Sequence, residues 1–247
     1  PIAAVAAETE EEAQRALEAV KVEYEILGAT FDAFESMEPG REPLHDEILL
    51  KNKVLKVWNN VACTLEIEEG DVERGFGEAD VVLERTYRTN RRYHDQLETK
   101  SVVVRPEPGG GITVWSTSQT IHNTRILLHE VYGIPMGKIR VVKVPLGGSF
   151  GSSIHTNPVV MVATGLALKS RRSVKMTYTR EEDIRDHCSY QMVFKLKLGA
   201  TKEGKLTAGQ LEAFLDIGAH QIQAFPLLGC VVGWWVSLYK LPNKRYV

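Results

Sequence analysis

Ile139-Arg140-Val141-Val142-Lys143-Val144 runs directly into Pro145-Leu146-Gly147-Gly148-Ser149-Phe150-Gly151-Ser152-Ser153, and Asn157-Pro158 follows a few residues on. Four of the first six residues are β-branched, which predicts a strand over 139–144. Asn157 has the chemistry of a helix N-cap and Pro158 that of a first helical residue, so a helix is predicted over 159–168. A glycine-rich loop therefore joins a strand to a helix. Gly147, Gly148 and Gly151 give its backbone access to dihedrals closed to other residues and allow close approach to a ligand. Amides at such a strand-to-helix junction can also bind an anion. No GK[ST] follows and the spacing is not GxGxxG, so neither nucleotide fingerprint applies. Two readings stay open: a tight turn, or a cradle for a ligand.

Outward from this loop the pattern is mixed α and β. Downstream, residues 174–178 read as a strand. Thr179-Arg180-Glu181-Glu182 reads as a capping box opening a short helix, and residues 193–200 and 205–216 form a long hairpin around Thr201–Gly204. Upstream, 81–89 alternates, 97–105 is β-rich, Pro106–Gly111 is a turn and 112–116 resumes the strand. A helix follows with Ile126, Leu127 and Val131 on one face, ended by Gly133 with Pro135 beyond. Near the N-terminus, 2–7 and 22–26 read as strands around a helix capped by Thr9 and Glu12. This β-α-β unit would belong to a larger parallel sheet. Residues 28–55 read as linker, and the acidic stretch 66–80 as a solvated surface segment.

The 247 residues are 43% hydrophobic and 25% charged, an ordinary globular composition. Thirty basic against 32 acidic side chains give a net charge of −2, which excludes a chain-wide basic footprint for nucleic acid. No apolar run reaches the roughly 18 residues of a membrane helix; residues 225–238 come nearest and carry Pro226 and several glycines. The opening Pro1-Ile2-Ala3-Ala4-Val5-Ala6 has no basic region before it and is not a signal peptide. Both ends are abrupt, and the expectation is a piece of a longer chain. Cys63, Cys188 and Cys230 lack metal or disulfide spacing and read as inert thiols in a reducing compartment, the cytoplasm.

Among polar candidates, Ser116-Thr117-Ser118-Gln119-Thr120 lies where a strand meets a helix. One of these residues is expected to cap the helix. The functional alternative is a Gln119 amide that donates to an oxygen ligand. The seven histidines show no HExxH or other ligand spacing, and no protein-ligated metal is expected. GxSxG is absent. Trp234-Trp235 reads as core or subunit interface.

Five segments, taken in order, resemble the molybdenum-containing hydroxylases, the family of xanthine dehydrogenase and aldehyde oxidase. They are the opening 1–26, Gln96-Leu97-Glu98-Thr99, Ser116-Thr117-Ser118-Gln119 with Gly133-Ile134-Pro135, Gly147-Gly148-Ser149-Phe150-Gly151, and Arg180-Glu181-Glu182-Asp183. The resemblance implies an α+β fold: the end of an α/β hammerhead domain (1–30), a linker (31–72) and a truncated, mixed-sheet first molybdopterin-binding domain (73–247). It implies a molybdenum–molybdopterin cofactor, as the cytosine dinucleotide, held by its pterin dithiolene rather than by protein side chains. Gln119 would then hydrogen-bond an oxo ligand, and Gly147, Gly148, Phe150 and Gly151 would lie against the cofactor.

The implied reaction is hydroxylation of an aromatic heterocycle or aldehyde with water. Electrons would leave through [2Fe-2S] clusters and FAD on partner domains or subunits. Purine-type members continue the loop as Gly-Lys-Glu, with the Glu on substrate. Here Ser152-Ser153-Ile154 stands in that place, so Ile154 becomes the substrate-side residue and the loop resembles nicotinate-type members. The family's catalytic Glu belongs to a later domain, so no catalytic residue is expected in this chain, and the isolated chain is expected to be inactive. Neither nucleic acid nor membrane is an expected partner; the rest of the molybdopterin-binding domain is. The alternative is a non-catalytic assembly or anion-binding module in which the loop is only a turn.

Overall fold

The computed structural model describes residues 2–50, 53–155, 157–220 and 224–247. In chain order the helices are α1 (Glu10–Glu18), α2 (Ala33–Ser36), α3 (Val72–Gly77), α4 (Ile121–Tyr132), α5 (Pro158–Ser170), α6 (Arg180–Asp186) and α7 (Ala224–Leu238). The strands are β1 (Glu47–Leu50), β2 (Lys53–Lys56), β3 (Ile67–Glu69), β4 (Val81–Arg88), β5 (Ser101–Glu107), β6 (Gly111–Ser116), β7 (Ile139–Lys143), β8 (Val174–Thr177), β9 (Gln191–Ala200), β10 (Leu206–Asp216) and β11 (Lys244–Tyr246). The α+β class expected from the sequence is the class observed. The chain divides into two compact units, one of residues 1–26 and 92–189, the other of 27–91 and 190–247.

The first unit is built on a four-stranded mixed sheet, order β7-β6-β5-β8. Its registers set Val104 opposite Val114 and Val174, and Ile112 beside Ile139. These side chains share one face. Leu128 of α4 and Val159, Val160, Ala163 and Ala167 of α5 close over them in a single apolar core. Five of these, Val104, Val114, Leu128, Ala163 and Ala167, are fully buried, and each buried Val or Leu side chain is worth roughly 1.5–3 kcal/mol. The β6–β7 connection is a parallel crossover through α4, and β7 leads into α5 through the glycine loop. The site is thus slung between the ends of the neighbouring strands β6 and β7.

The second unit is a five-stranded sheet, order β3-β11-β10-β9-β4, dominated by the β9–β10 hairpin expected from the sequence. Leu211, Val232 and Tyr246 form its small core, with Trp235 packed against it, while Trp234 is mostly exposed. No helix among the described residues is long and apolar enough to cross a membrane.

Several local expectations fail. Residues 2–7 and 22–26 are not strands; only α1 forms between them. A parallel strand takes its hydrogen bonds from neighbouring strands, and none pairs with these segments among the described residues. The Thr9 hydroxyl does accept the Glu12 amide, at 3.2 Å. The stretch read as linker carries α2, capped by Asp32, and the β1–β2 hairpin, elements too short for periodicity to reveal. The acidic segment is not wholly surface. Val72 and Gly75 of α3 are buried, and a Cβ on Gly75 would sit 2.7 Å from the Thr207 carbonyl oxygen. The turn expected over 106–111 tightens to 108–110, because β5 continues through Pro106 and Glu107. On α4 the buried residues are Thr124 and Leu128, whereas Ile126 and Val131 are 43% and 59% exposed. Apolar residues occupy more than one face of that helix, so spacing alone could not choose between them.

Candidate functional site

Ser116, Thr117 and Ser118 leave β6 buried, and Gln119 emerges exposed. Thr117 and Ser118 have partners that pin the turn. The Thr117 hydroxyl accepts the Ser101 amide at 3.0 Å, and Ser118 Oγ accepts the Thr120 amide at 3.1 Å. Thr120 is the N-cap of α4, yet its side chain makes no capping bond. Its hydroxyl donates instead to the Ile154 carbonyl. The Gln119 backbone amide donates to the Ser153 carbonyl at 2.9 Å. Helix entry and glycine loop are therefore stitched together through the backbone.

Within the loop, Gly148, Phe150 and Gly151 all take left-handed backbone dihedrals, with φ of 97°, 51° and 104°. For Phe150 this conformation is uncommon; its ring is 75% exposed. On Gly148 an added Cβ would meet only the Gln96 Cβ and the Phe150 ring at 3.4 Å or more, and on Gly151 nothing closer than 3.8 Å. It is the left-handed φ, rather than crowding, that demands glycine at both. Gly147 differs. A Cβ there would sit 2.7 Å from the Glu98 Cβ, so this glycine is required by packing. Its amide donates to the Glu98 carboxylate at 2.5 Å, and its carbonyl accepts the Glu98 amide at 3.3 Å.

The segment containing Glu98 is in turn held by α6. The Arg180 guanidinium donates to the Gln96 and Leu97 carbonyls. Asp183, fully buried, accepts from Lys100 Nζ at 2.7 Å, from Gln96 Nε2 at 2.6 Å and from the Tyr93 hydroxyl. Burial, and then the Asp183 carboxylate, push the Tyr93 phenol up to about 12. A complete capping box at Thr179 starts α6 and aims these side chains. The Arg180–Asp183 run thus holds the irregular segment before β5 that holds the glycine loop.

A cluster of three histidines carried no signal in the sequence. The rings of His94 and His187 stack with centroids 5.4 Å apart, and His155 meets His187 edge-on at 4.4 Å. His94 also lies near Gly151. Burial is the main cause that pushes His155 and His187 down to about 4, helped by neighbouring imidazoles and Lys100; His94 is lowered too. These are neutral packing histidines. No group of three His, Cys, Asp or Glu side chains among the described residues is arranged to hold a metal ion.

The sequence-distant candidates Gln119, Gly147, Gly148, Phe150, Gly151 and Ile154 converge here in one unit. The Gln119 Oε1 accepts the Ser149 hydroxyl at 2.6 Å. Ile154 is 37% exposed beside the loop, its amide donating to the Gly151 carbonyl. The molybdopterin cofactor-binding domain family matches residues 55–247.

The chain belongs to that family.

This molybdopterin cofactor-binding chain is 36% identical over 99% of its length to a probable xanthine dehydrogenase subunit of Bacillus subtilis, covering 31% of that protein. It is 30% identical over 99% of its length to the nicotinate dehydrogenase large molybdopterin subunit of Eubacterium barkeri, covering 55% of it. It thus spans about a third and about half of these relatives. Aldehyde oxidoreductase from Desulfovibrio gigas shares the fold over 97% of this chain and 26% of that one, with a TM-score of 0.83 at 23% identity. The molybdenum hydroxylase resemblance read from the five segments is confirmed by the family match and these relatives. The residues at the loop fit such a cofactor. Two left-handed glycines leave the approach open, and an exposed glutamine amide stands beside them with its oxygen already engaged.

Proposed function

We propose that this chain is the part of a molybdenum hydroxylase that receives one side of the molybdenum–molybdopterin cofactor, as the cytosine dinucleotide. Gln119 and the Gly147–Gly151 loop make the contact, and Ile154 stands on the substrate side. In this reading 1–30 ends a hammerhead domain, 31–72 links, and 73–247 is the first molybdopterin-binding domain. The remaining molybdopterin-binding domain, iron–sulfur and FAD partners and the catalytic Glu lie elsewhere in a cytoplasmic enzyme, so the chain alone is inactive. The observation that carries the reading is the Ser149–Gln119 hydrogen bond, which joins two motifs thirty residues apart into one surface.

When bound, the cofactor supplies the redox chemistry that inserts a water-derived oxygen into an electron-poor carbon. This chain's residues orient and exclude. With its Oε1 held by Ser149, the Gln119 amide has its N–H donors left to face an oxygen ligand. Gly148 and Gly151 let the backbone come close, and the exposed Phe150 ring offers apolar surface beside them. Ile154 offers neither charge nor a side-chain hydrogen bond, which favours the face of an aromatic ring over a purine edge. A buried polar edge left without its partner costs roughly 1–3 kcal/mol. The names of the relatives divide between xanthine and nicotinate, and Ile154 supports the latter class.

The test uses the native enzyme assembled with its partners. Gln119→Ala at full molybdenum loading should lower kcat by roughly 10²–10³-fold with little change in KM, as loss of one transition-state donor does. The parent enzyme should prefer nicotinate or an aromatic aldehyde over xanthine in kcat/KM. Turnover unchanged in the variant would remove Gln119 from the site, and xanthine as the best substrate would overturn the role of Ile154.

A further inference from the structure

We propose that Ser149 is a positioning residue that sets which end of the Gln119 amide faces the cofactor. The inference rests on the placement of Gln119 above and adds the device that makes its donor direction single-valued. Ser149 is 6% exposed. Its hydroxyl accepts the Ser153 amide at 3.0 Å and donates to Gln119 Oε1 at 2.6 Å. A serine hydroxyl has one hydrogen to give. With the Ser153 N–H already directed at the oxygen, that hydrogen goes to the glutamine carbonyl.

The consequence follows from rotamer physics. The terminal torsion of a glutamine is broad and roughly two-fold, so its oxygen and nitrogen ends exchange at little intrinsic cost. One orientation offers two N–H donors to an oxygen ligand; the other offers a carbonyl that repels it. The backbone at 119 is already fixed by the bond from its amide to the Ser153 carbonyl and by the Thr120 hydroxyl on Ile154. The side-chain torsions are left to choose, and the Ser149 hydroxyl holds the carbonyl end. Groups one step removed from a metal centre that orient its contacts typically change activity by about 10–100-fold when removed.

The experiment has two readouts. In the 247-residue chain, NMR relaxation of the Gln119 side-chain amide should report an ordered group, and Ser149→Ala should leave it mobile. Ser149→Thr, which keeps the hydroxyl, should retain the order. In the assembled enzyme, Ser149→Ala should lower kcat about 10–100-fold with KM nearly unchanged. Ser149→Ala/Gln119→Ala should be no slower than Gln119→Ala alone, because both act on one donor. Gln119→Glu keeps an acceptor for Ser149 but has no donor to present, and should be as slow as Gln119→Ala. An amide equally ordered in Ser149→Ala overturns the proposal, as do losses that multiply in the double variant. If Gln119→Ala itself is silent while Ser149→Ala still frees the amide, the cofactor contact is what has failed.

Discussion

Strands β6 and β4 look alike as sequence, since both are rich in β-branched and aromatic residues. In the structure they are opposites. β6 lies between β5 and β7 beneath the helices, and five of its six residues are buried, Val114 completely. β4 is a sheet edge paired only with β9, and all eight of its residues are exposed. Composition therefore specifies strand, while burial is decided by what else the chain brings alongside. The site follows the buried side of this contrast. Gln119 leaves the end of β6 and the glycine loop leaves the end of its neighbour β7. A donor that must hold its direction is hung from the interior strand β6, while β7, the edge beside it with one buried residue of five, carries the loop to which Gln119 is bonded.

The largest effect that would test this anchoring is at Lys100, just before β5. Its Nζ lies 2.7 Å from Asp183 and 3.3 Å from Asp186, and both Lys100 and Asp183 are almost inaccessible. Lys100→Met would leave Asp186 buried without its cation and Asp183 with only Arg180, at 3.6 Å, and breaking such a buried pair costs about 3–5 kcal/mol. Urea unfolding should show a loss of that size. Amide exchange in β6 should accelerate far more than in β4. A loss below about 1 kcal/mol would mean that the polar floor is not what holds the first unit together.

How much of this is legible in the sequence depends on how local each signal is. The strand, loop and helix around Gly147–Gly151, the β9–β10 hairpin and the Thr179 capping box are short-range patterns, and the sequence shows them. The two readings of Gln119 cannot be separated there, since its Ser149 partner comes from thirty residues away. The cap of α4 has no side-chain bond because the Thr120 hydroxyl is used on Ile154. His94, His155 and His187 meet only through tertiary folding. Asp183 is marked in the sequence only as the end of the Arg180–Asp183 run, and nothing local names Lys100 as its buried partner. Residues 2–7 and 22–26 carry the right local pattern for strands, but pairing is not local.

A matched pair of truncations sharpens the comparison directly. Val114→Ala removes two methyl groups from a fully buried position in the first unit's core and should cost about 2 kcal/mol. Val82→Ala acts on a side chain that is 42% exposed on the edge strand and should cost under about 0.5 kcal/mol. Both are read as shifts in the urea midpoint at constant slope. Equal costs would mean that β4 is as firmly packed as β6.

The smallest effect is a pH dependence confined to the loop-bearing unit. In the folded chain His155 and His187 titrate at about 4, against an ordinary 6.5, chiefly because burial disfavours the charged ring. Lys100 and the neighbouring imidazoles act in the same direction. The unfolded chain therefore binds protons that the folded chain refuses between these values, and stability must fall as pH drops from about 6.5 towards 4. Above about pH 7 both states are neutral at these groups and the contribution is flat. From about pH 7 to 5.5 the two rings together should cost on the order of 1 kcal/mol, after halving both shares for partial solvation of the cluster. That corresponds to about 3 °C in Tm for a chain of this size. Asp186 opposes the trend at lower pH, because its carboxyl is raised by burial and gains stability on protonation. A variant isolates the histidines: His155→Gln should remove about half of the loss between about pH 7 and 5.5. An unaltered pH profile in that variant would show that His155 is already solvated in the folded chain, and that the floor beneath the loop is looser than the β6 contrast requires.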